Sequence, residues 1–200
     1  MKNNKRLPSR KNKIFDAAII CFNKNGYFRT SLDEIATKAG VTKAGIYYHF
    51  KSKKRLFIEL FHVKVNTFFE ELMSYVQDKK DPLLQLKYLF GNEGELIPKD
   101  IEVVKFCLEF MTVSTRDADI RKEVTAFYKD KVEIMSSIID RGKKDGIFRD
   151  LDMESIARNL YFQSWGFFLI NFTINIDFDI HEQHKRNLDL LLHGLIAKNA

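Results

Sequence analysis

Very little in this sequence interrupts a helix. Proline occurs three times in 200 residues, at Pro8, Pro82 and Pro98, and glycine nine times. Between these breakers run long segments whose apolar residues recur every three or four positions, the period of a helix with one buried face. Ile14, Ala18, Cys21 and Phe22 form one such face, and Phe57, Leu60, Phe61, Val65, Phe68, Leu72 and Val76 a longer one. The chain is therefore expected to be all-α, with about nine helices. Apolar residues make up 45% of it, enough for a substantial core.

Punctuation places the elements. Helix one is expected from Ser9 to Asn25, stopped at Asn25-Gly26. Ser31-Leu32-Asp33-Glu34 reads as a capping box opening helix two, which Gly40 ends. Helix three is short, Thr42–His49, with Thr42 as N-cap. Helix four starts after Ser52 and spans roughly 27 residues, about 40 Å at 1.5 Å per residue. Asp81-Pro82 opens another helix, with proline at its first position. Residues 91–99 read as a loop. Further helices are expected near 100–115, 117–144, 152–173 and 179–197, the last opened by a second capping box, Asp179 to Glu182. The stretch 142–150, with Gly146, supplies the turn before the final pair.

Charge is unevenly spread. Residues 1–55 hold fourteen Lys/Arg and three acids, while residues 56–200 hold nineteen and twenty-four. A basic end on an acidic body points to a polyanion for that end alone. Two domains follow as an expectation: a basic head over 1–55, the candidate for that polyanion, and a helical body over 56–200. The N-terminus is basic but lacks an apolar run behind it, so no signal peptide is expected. Asn159–Ile176 carries no charge, yet Gln163, Ser164, Asn171, Thr173 and Asn175 interrupt it, which fits a buried helix better than a membrane span. Cys21 and Cys107 lie on different predicted helices and read as reduced core thiols. A cytoplasmic protein that leaves the membrane alone is the expectation.

Ser31–His49 carries the function. Two short helices pinned at a steep angle need a small residue at their crossing, a residue tolerant of positive φ in the turn and an apolar plug after it. Ala36, Gly40 and Val41 meet these needs. Ile46 then faces inward while Lys43 stays outward.

The order Ile35-Ala36-x-x-Ala39-Gly40-Val41-Thr42-x-x-Gly45-Ile46-Tyr47-Tyr48-His49-Phe50-x-x-Lys53-x-x-Leu56, preceded by Gly26-Tyr27-x-x-Thr30-Ser31, resembles the tetracycline-repressor (TetR) family. The likeness covers about 50 residues without gaps. It implies a three-helix DNA-binding head, a helical ligand-binding body and a homodimer on a palindromic operator in double-stranded DNA. The N-terminal part of helix three should enter the major groove. There Lys43 suits a guanine edge, Ala44 a thymine methyl, and small Gly45 permits close approach. Thr42 stands at the same helix start. Tyr47 matches a family position that contacts DNA, its ring meeting a base or its hydroxyl a phosphate. Thr30, Ser31, Tyr48, His49 and Lys53 are the expected phosphate clamps, with Lys54 beside Lys53 at a helix start. The basic arm Lys2, Lys5, Arg6, Arg10, Lys11 and Lys13 adds further cations.

In the body, Phe106, Phe110, Phe127, Phe162, Trp165 and Phe168 are candidates to line a cavity for a small hydrophobic effector. The last two helices, through Leu160, Phe167, Leu188, Leu191, Leu192 and Leu195, are the expected dimer interface. The resulting function is a transcriptional regulator, a repressor released from its operator when effector tilts helix four. The alternative is a helix-turn-helix protein-interaction module without ligand gating. No catalytic residues and no cofactor are expected, since no phosphate loop or nucleophile–base pair is present. His181 and His184 lack the further ligands that a zinc site needs, so no metal is expected either.

Overall fold

The computed structural model describes residues 10–76, 78–90 and 101–196. Nine helices lie among them: α1 Arg10–Arg29, α2 Leu32–Ala39, α3 Lys43–His49, α4 Lys53–Val76, α5 Pro82–Phe90, α6 Ile101–Ser114, α7 Ala118–Lys144, α8 Met153–Thr173 and α9 Ile180–Leu195. Among the described residues the only β feature is a single antiparallel bridge, Phe148 to Ile196. The expected loop at 91–99 and the arm residues Lys2, Lys5 and Arg6 lie outside the described residues.

Local rules account for most helix ends. Asn25-Gly26 does break α1: Gly26 takes φ 76°, ψ 161°, and one further helical turn, Tyr27–Arg29, follows it. Ser31 accepts the Glu34 N–H at 3.1 Å. The other half of that capping box is replaced, because the Glu34 carboxylate accepts from Asn25 Nδ2 at 2.6 Å. Asp179 likewise caps α9 by accepting from His181 N and Glu182 N, while Glu182 pairs with Arg186. Asp81 accepts from Leu83 N at 2.8 Å at the start of α5.

The chain forms two compact units. One is Met1–Asn66 with Asp100–Glu123, the other Thr67–Lys99 with Val124–Ala200. The first holds more than the three head helices, because α6 packs against α1. Phe22, Phe57, Phe61, Phe106 and Phe110 are fully buried in it. Phe61 and Phe110 stack with centroids 3.9 Å apart, and Phe57 lies 5.2 Å from Phe106 and 4.9 Å from Phe110. Phe106 and Phe110 are thus closed core rather than cavity lining. Their rings are held by other rings within this unit. Two polar ties accompany them. Asn23 Nδ2 donates to Glu102 O and Oε2 at 2.8 and 2.9 Å, and the Glu109 carboxylate accepts the Tyr27 N–H at 2.6 Å.

In the second unit the core includes Leu86, Val132, Met135, Ile139, Leu160, Leu188, Leu192 and Leu195. This corrects the expected dimer interface. Leu160, Leu188, Leu192 and Leu195 face their own chain, and Phe167 is buried with its ring 4.5 Å from that of His184. Leu191 is only partly buried. The outward apolar residues are others: Phe162, Leu169 and Ile170 on α8, Ile174 and Phe178 after it, and Leu190 on α9. Because α8 is apolar on most of its circumference, periodicity alone does not say which of its faces turns inward.

α7 ends at Lys144, as its expected span has it, so the first residues of the expected turn stretch belong to the helix. Gly142 lies inside the helix, and Gly146 takes the positive φ, 73°. A methyl on Gly142 would collide with the Phe148 ring at Cδ2 and Cε2. Phe148 is itself core, so its ring cannot swing out to water. Gly142→Ala improves helix propensity by about 1 kcal/mol but overpacks the core, which commonly costs about 1–3 kcal/mol. Here the clash wins, and a lowered urea midpoint is the expected result.

Candidate DNA-binding site

The turn between α2 and α3 is fixed by backbone bonds. Gly40 sits at φ 65°, ψ 33°, Val41 N donates to Ala36 O at 3.0 Å, and Gly40 N donates to Thr37 O at 3.2 Å. This is the paired closure that a left-handed glycine makes possible at a helix end. Thr42 then caps α3, its hydroxyl accepting the Gly45 N–H at 3.0 Å. A Cβ on Gly45 would sit 3.1 Å from that hydroxyl, so the small residue also protects the cap.

Only one face of α3 is held by the core. Ile46 and the following Phe50 are fully buried. Thr42, Lys43, Ala44, Tyr47, Tyr48 and His49 are exposed and Gly45 partly so, with Tyr48 at 86%. Tyr48 and His49 rings lie edge-on, 5.3 Å apart. Ser31 is exposed at the α2 start. The Lys43 ammonium meets Asp33 Oδ2 at 2.7 Å, and this hydrogen bond holds its pKa above the ordinary lysine value. Both partners are well exposed, so the pair holds the side chain only loosely.

Two expected phosphate clamps point elsewhere. Thr30 is 2% exposed, and its hydroxyl donates to Gly26 O at 2.8 Å and Cys21 O at 3.2 Å. Lys53 turns back on α1: its Nζ donates to Tyr27 O at 2.6 Å, Thr30 O at 2.7 Å and Phe28 O at 3.2 Å, over the Tyr27 ring. Burial lowers its pKa. The reason is the kink at Gly26, which leaves carbonyls at the end of α1 in need of a donor. Lys54 is likewise engaged, with Asp117 and Asp119 at 2.9 Å each. In the arm, Lys11 pairs with Glu59. The sequence reading passed over Lys51, exposed directly after α3, and the Asp33 partner of Lys43. Lys51 could have been found from its place in the basic run; the Asp33 contact depends on the angle between α2 and α3.

Of the remaining candidate pocket residues, Phe127, Trp165 and Phe168 are half-buried in the second unit and Phe162 is exposed. Phe127 packs edge-on to Phe69 at 5.3 Å, and Trp165 lies 6.2 Å from Tyr161 and 6.5 Å from Phe168.

A short helix with a buried back, an exposed front and a cationic first turn, standing on a glycine turn, defines a helix-turn-helix regulator that reads DNA. Comparison with known proteins agrees. The profile for bacterial regulatory proteins of the tetR family matches residues 14–60, and that for the YsiA-like protein C-terminal region matches residues 61–194. The chain belongs to the tetR family of transcriptional regulators.

It is 24% identical over 188 residues to the fatty acid metabolism regulator protein of Bacillus subtilis, covering 93% of this chain and 95% of that protein. It is 30% identical over 132 residues to IcaR, the negative transcriptional regulator of the biofilm operon icaADBC in Staphylococcus aureus, covering 59% of this chain and 69% of that one. The crystal structure of the transcriptional regulator FadR from Bacillus subtilis in complex with stearoyl-CoA superposes with a TM-score of 0.76 at 24% identity, over 92% of this chain and 98% of that one. Among the described residues no helix is long and apolar enough to cross a membrane.

Proposed function

We propose that the protein is a repressor that binds a palindromic operator as a homodimer and leaves it when a long-chain apolar effector occupies the second unit. The outward face of α3 carries the reading. Lys43, Ala44 and Tyr47 stand on a helix whose other side is locked by Ile46, so a duplex can approach them without unfolding anything. Ser31, Tyr48 and His49 border this face as phosphate contacts.

The dimer is supported by the apolar residues left outside on α8, on α9 and between them: Phe162, Leu169, Ile170, Ile174, Phe178 and Leu190. Surfaces of this kind mark association sites. A second copy related by a two-fold axis would place two α3 helices about 34–36 Å apart, one DNA turn. The effector class is supported by the aromatic residues of the second unit and by the stearoyl-CoA bound to the Bacillus subtilis regulator.

Selection of binding sites from random duplexes tests the first part; an inverted repeat is the expected product. On that site Lys43→Ala is expected to weaken binding roughly ten- to hundredfold and relax preference at one base pair per half-site. Its thermal melt should be unchanged. Equal affinity for selected and random DNA would overturn the reading. An operator complex undisturbed by saturating acyl-CoA would remove the gating part.

A further inference from the structure

The second unit contains a buried cation set between aromatic rings. Lys131, on α7, is 7% exposed. Its Nζ lies 4.2 Å from the centroid of Phe69 on α4 and 5.2 Å from that of Phe127, one turn earlier on α7. Among the described residues its carboxylate partner is Asp130, at 2.6 Å, with a side chain 60% exposed. The pair is therefore lopsided: the ammonium is desolvated among rings while the carboxylate remains in water.

Two other engaged lysines bind partners on separate segments. Lys53 gathers three carbonyls at the end of α1, and Lys54 joins α4 to Asp117 and Asp119. Lys131 reaches α4 only through the Phe69 ring, and its acidic partner is its neighbour on the same helix. Removing an ammonium from water costs several kcal/mol on the general scale, and an apolar residue of similar length would pack between Phe69 and Phe127 without that loss. Cation–π contact recovers only about 0.5–2 kcal/mol. A charge kept at such a position is explained by something that arrives with an opposite charge.

We infer that Lys131 anchors the acidic head, carboxylate or phosphate, of an effector whose apolar chain lies along Phe69 and Phe127. The inference rests on the effector reading above and gives that effector a charge. An acid reaching Nζ competes with Asp130, which is free to turn to water. It makes a charge-assisted hydrogen bond of the strong kind because the site is screened from solvent. Phe69 belongs to α4, the same helix whose first residues carry Lys53 and Lys54, so the occupied site acts directly on α4.

Three probes test this: laurate, with its acid at the chain end; lauroyl-CoA, with phosphates beyond a thioester; and dodecanol, with no charge. Quenching of Trp165, the sole tryptophan, reports binding to the full chain. Wild type is expected to bind at least one acidic probe more than about tenfold tighter than dodecanol. Lys131→Met should erase that advantage, leave dodecanol affinity unchanged and melt at or above the wild-type temperature. Lys131→Arg should retain the advantage. The acidic probe that loses more identifies the source of the head.

A preference surviving in Lys131→Met overturns the inference, as does a large drop in its melting temperature, because the cation would then serve the fold. Equal binding of all three probes by wild type overturns it while leaving an apolar effector in place. If none of the three binds, the effector reading itself falls, and this inference with it.

Discussion

Replacing Phe57 with alanine is expected to lower the stability of the first unit by about 3–5 kcal/mol, the usual loss for a fully enclosed aromatic. Phe57 is completely buried. Its ring centroid lies 4.8 Å from Phe22, 4.6 Å from Tyr27, 5.2 Å from Phe106 and 4.9 Å from Phe110. Three elements therefore meet on one side chain: α1, α4 and α6. The cavity left by Ala cannot close easily, because each surrounding ring is braced by another, as Phe110 is by its stack on Phe61. Phe57→Leu keeps most of the volume and should lose clearly less.

Urea unfolding of the full chain, followed by circular dichroism, measures the difference. Operator affinity should fall with the folded fraction and recover at low temperature or with added stabiliser. If Phe57→Ala lost under 1 kcal/mol, α6 would not be part of the same core as the head. Phe106 and Phe110 would then return as candidates for an effector cavity.

That reassignment shows where sequence reasoning held and where it stopped. The caps at Ser31, Thr42 and Asp179 and the left-handed Gly40 involve residues within a few positions of each other, and the sequence states both partners. The period of apolar residues likewise showed which helices exist. What periodicity does not carry is the identity of the surface on which an apolar face lands. Phe106 and Phe110 form a good stripe on α6, but only the fold shows that the stripe meets Phe57 and Phe61. Leu160, Leu188, Leu192 and Leu195 form stripes equally suited to a partner chain or to their own, and they meet their own.

Polar residues failed for a related reason. Thr30 and Lys53 stand at positions that suit phosphate contact when only spacing is considered. Their partners are carbonyls brought close by the Gly26 kink, 4 and 26 residues away in sequence for the two strongest links. Lys131 shows the converse. It sits on α7 as one of many lysines in the sequence, and only the placement of Phe69 and Phe127 distinguishes it from a solvated one.

Lys53 offers the sharpest choice between a binding role and a folding role. As a phosphate clamp, Lys53→Ala would leave the melt untouched, weaken all DNA sequences alike and reduce the salt slope of binding by about 1. As the tie seen in the structure, it gathers the carbonyls of Tyr27, Phe28 and Thr30 around one ammonium. Hydrogen bonds to a charged group contribute about 1.5–3 kcal/mol each when shielded, but water can replace the donor at the more open Phe28 carbonyl. The two part-buried bonds, at the lower end of that range, give a total loss of about 3 kcal/mol, with the segment between α1 and α2 loosened.

The salt slope should then match wild type, because no phosphate contact is removed, and affinity should recover wherever the variant is fully folded. Lys53→Arg is not a neutral control: a planar fork cannot converge on three carbonyls as an ammonium does, so it too should melt early. An unchanged melt with a shallower salt slope would restore the phosphate role and require Lys53 to leave α1 when DNA binds. The kink at Gly26 would then open with it, since the same carbonyls would be without their donor.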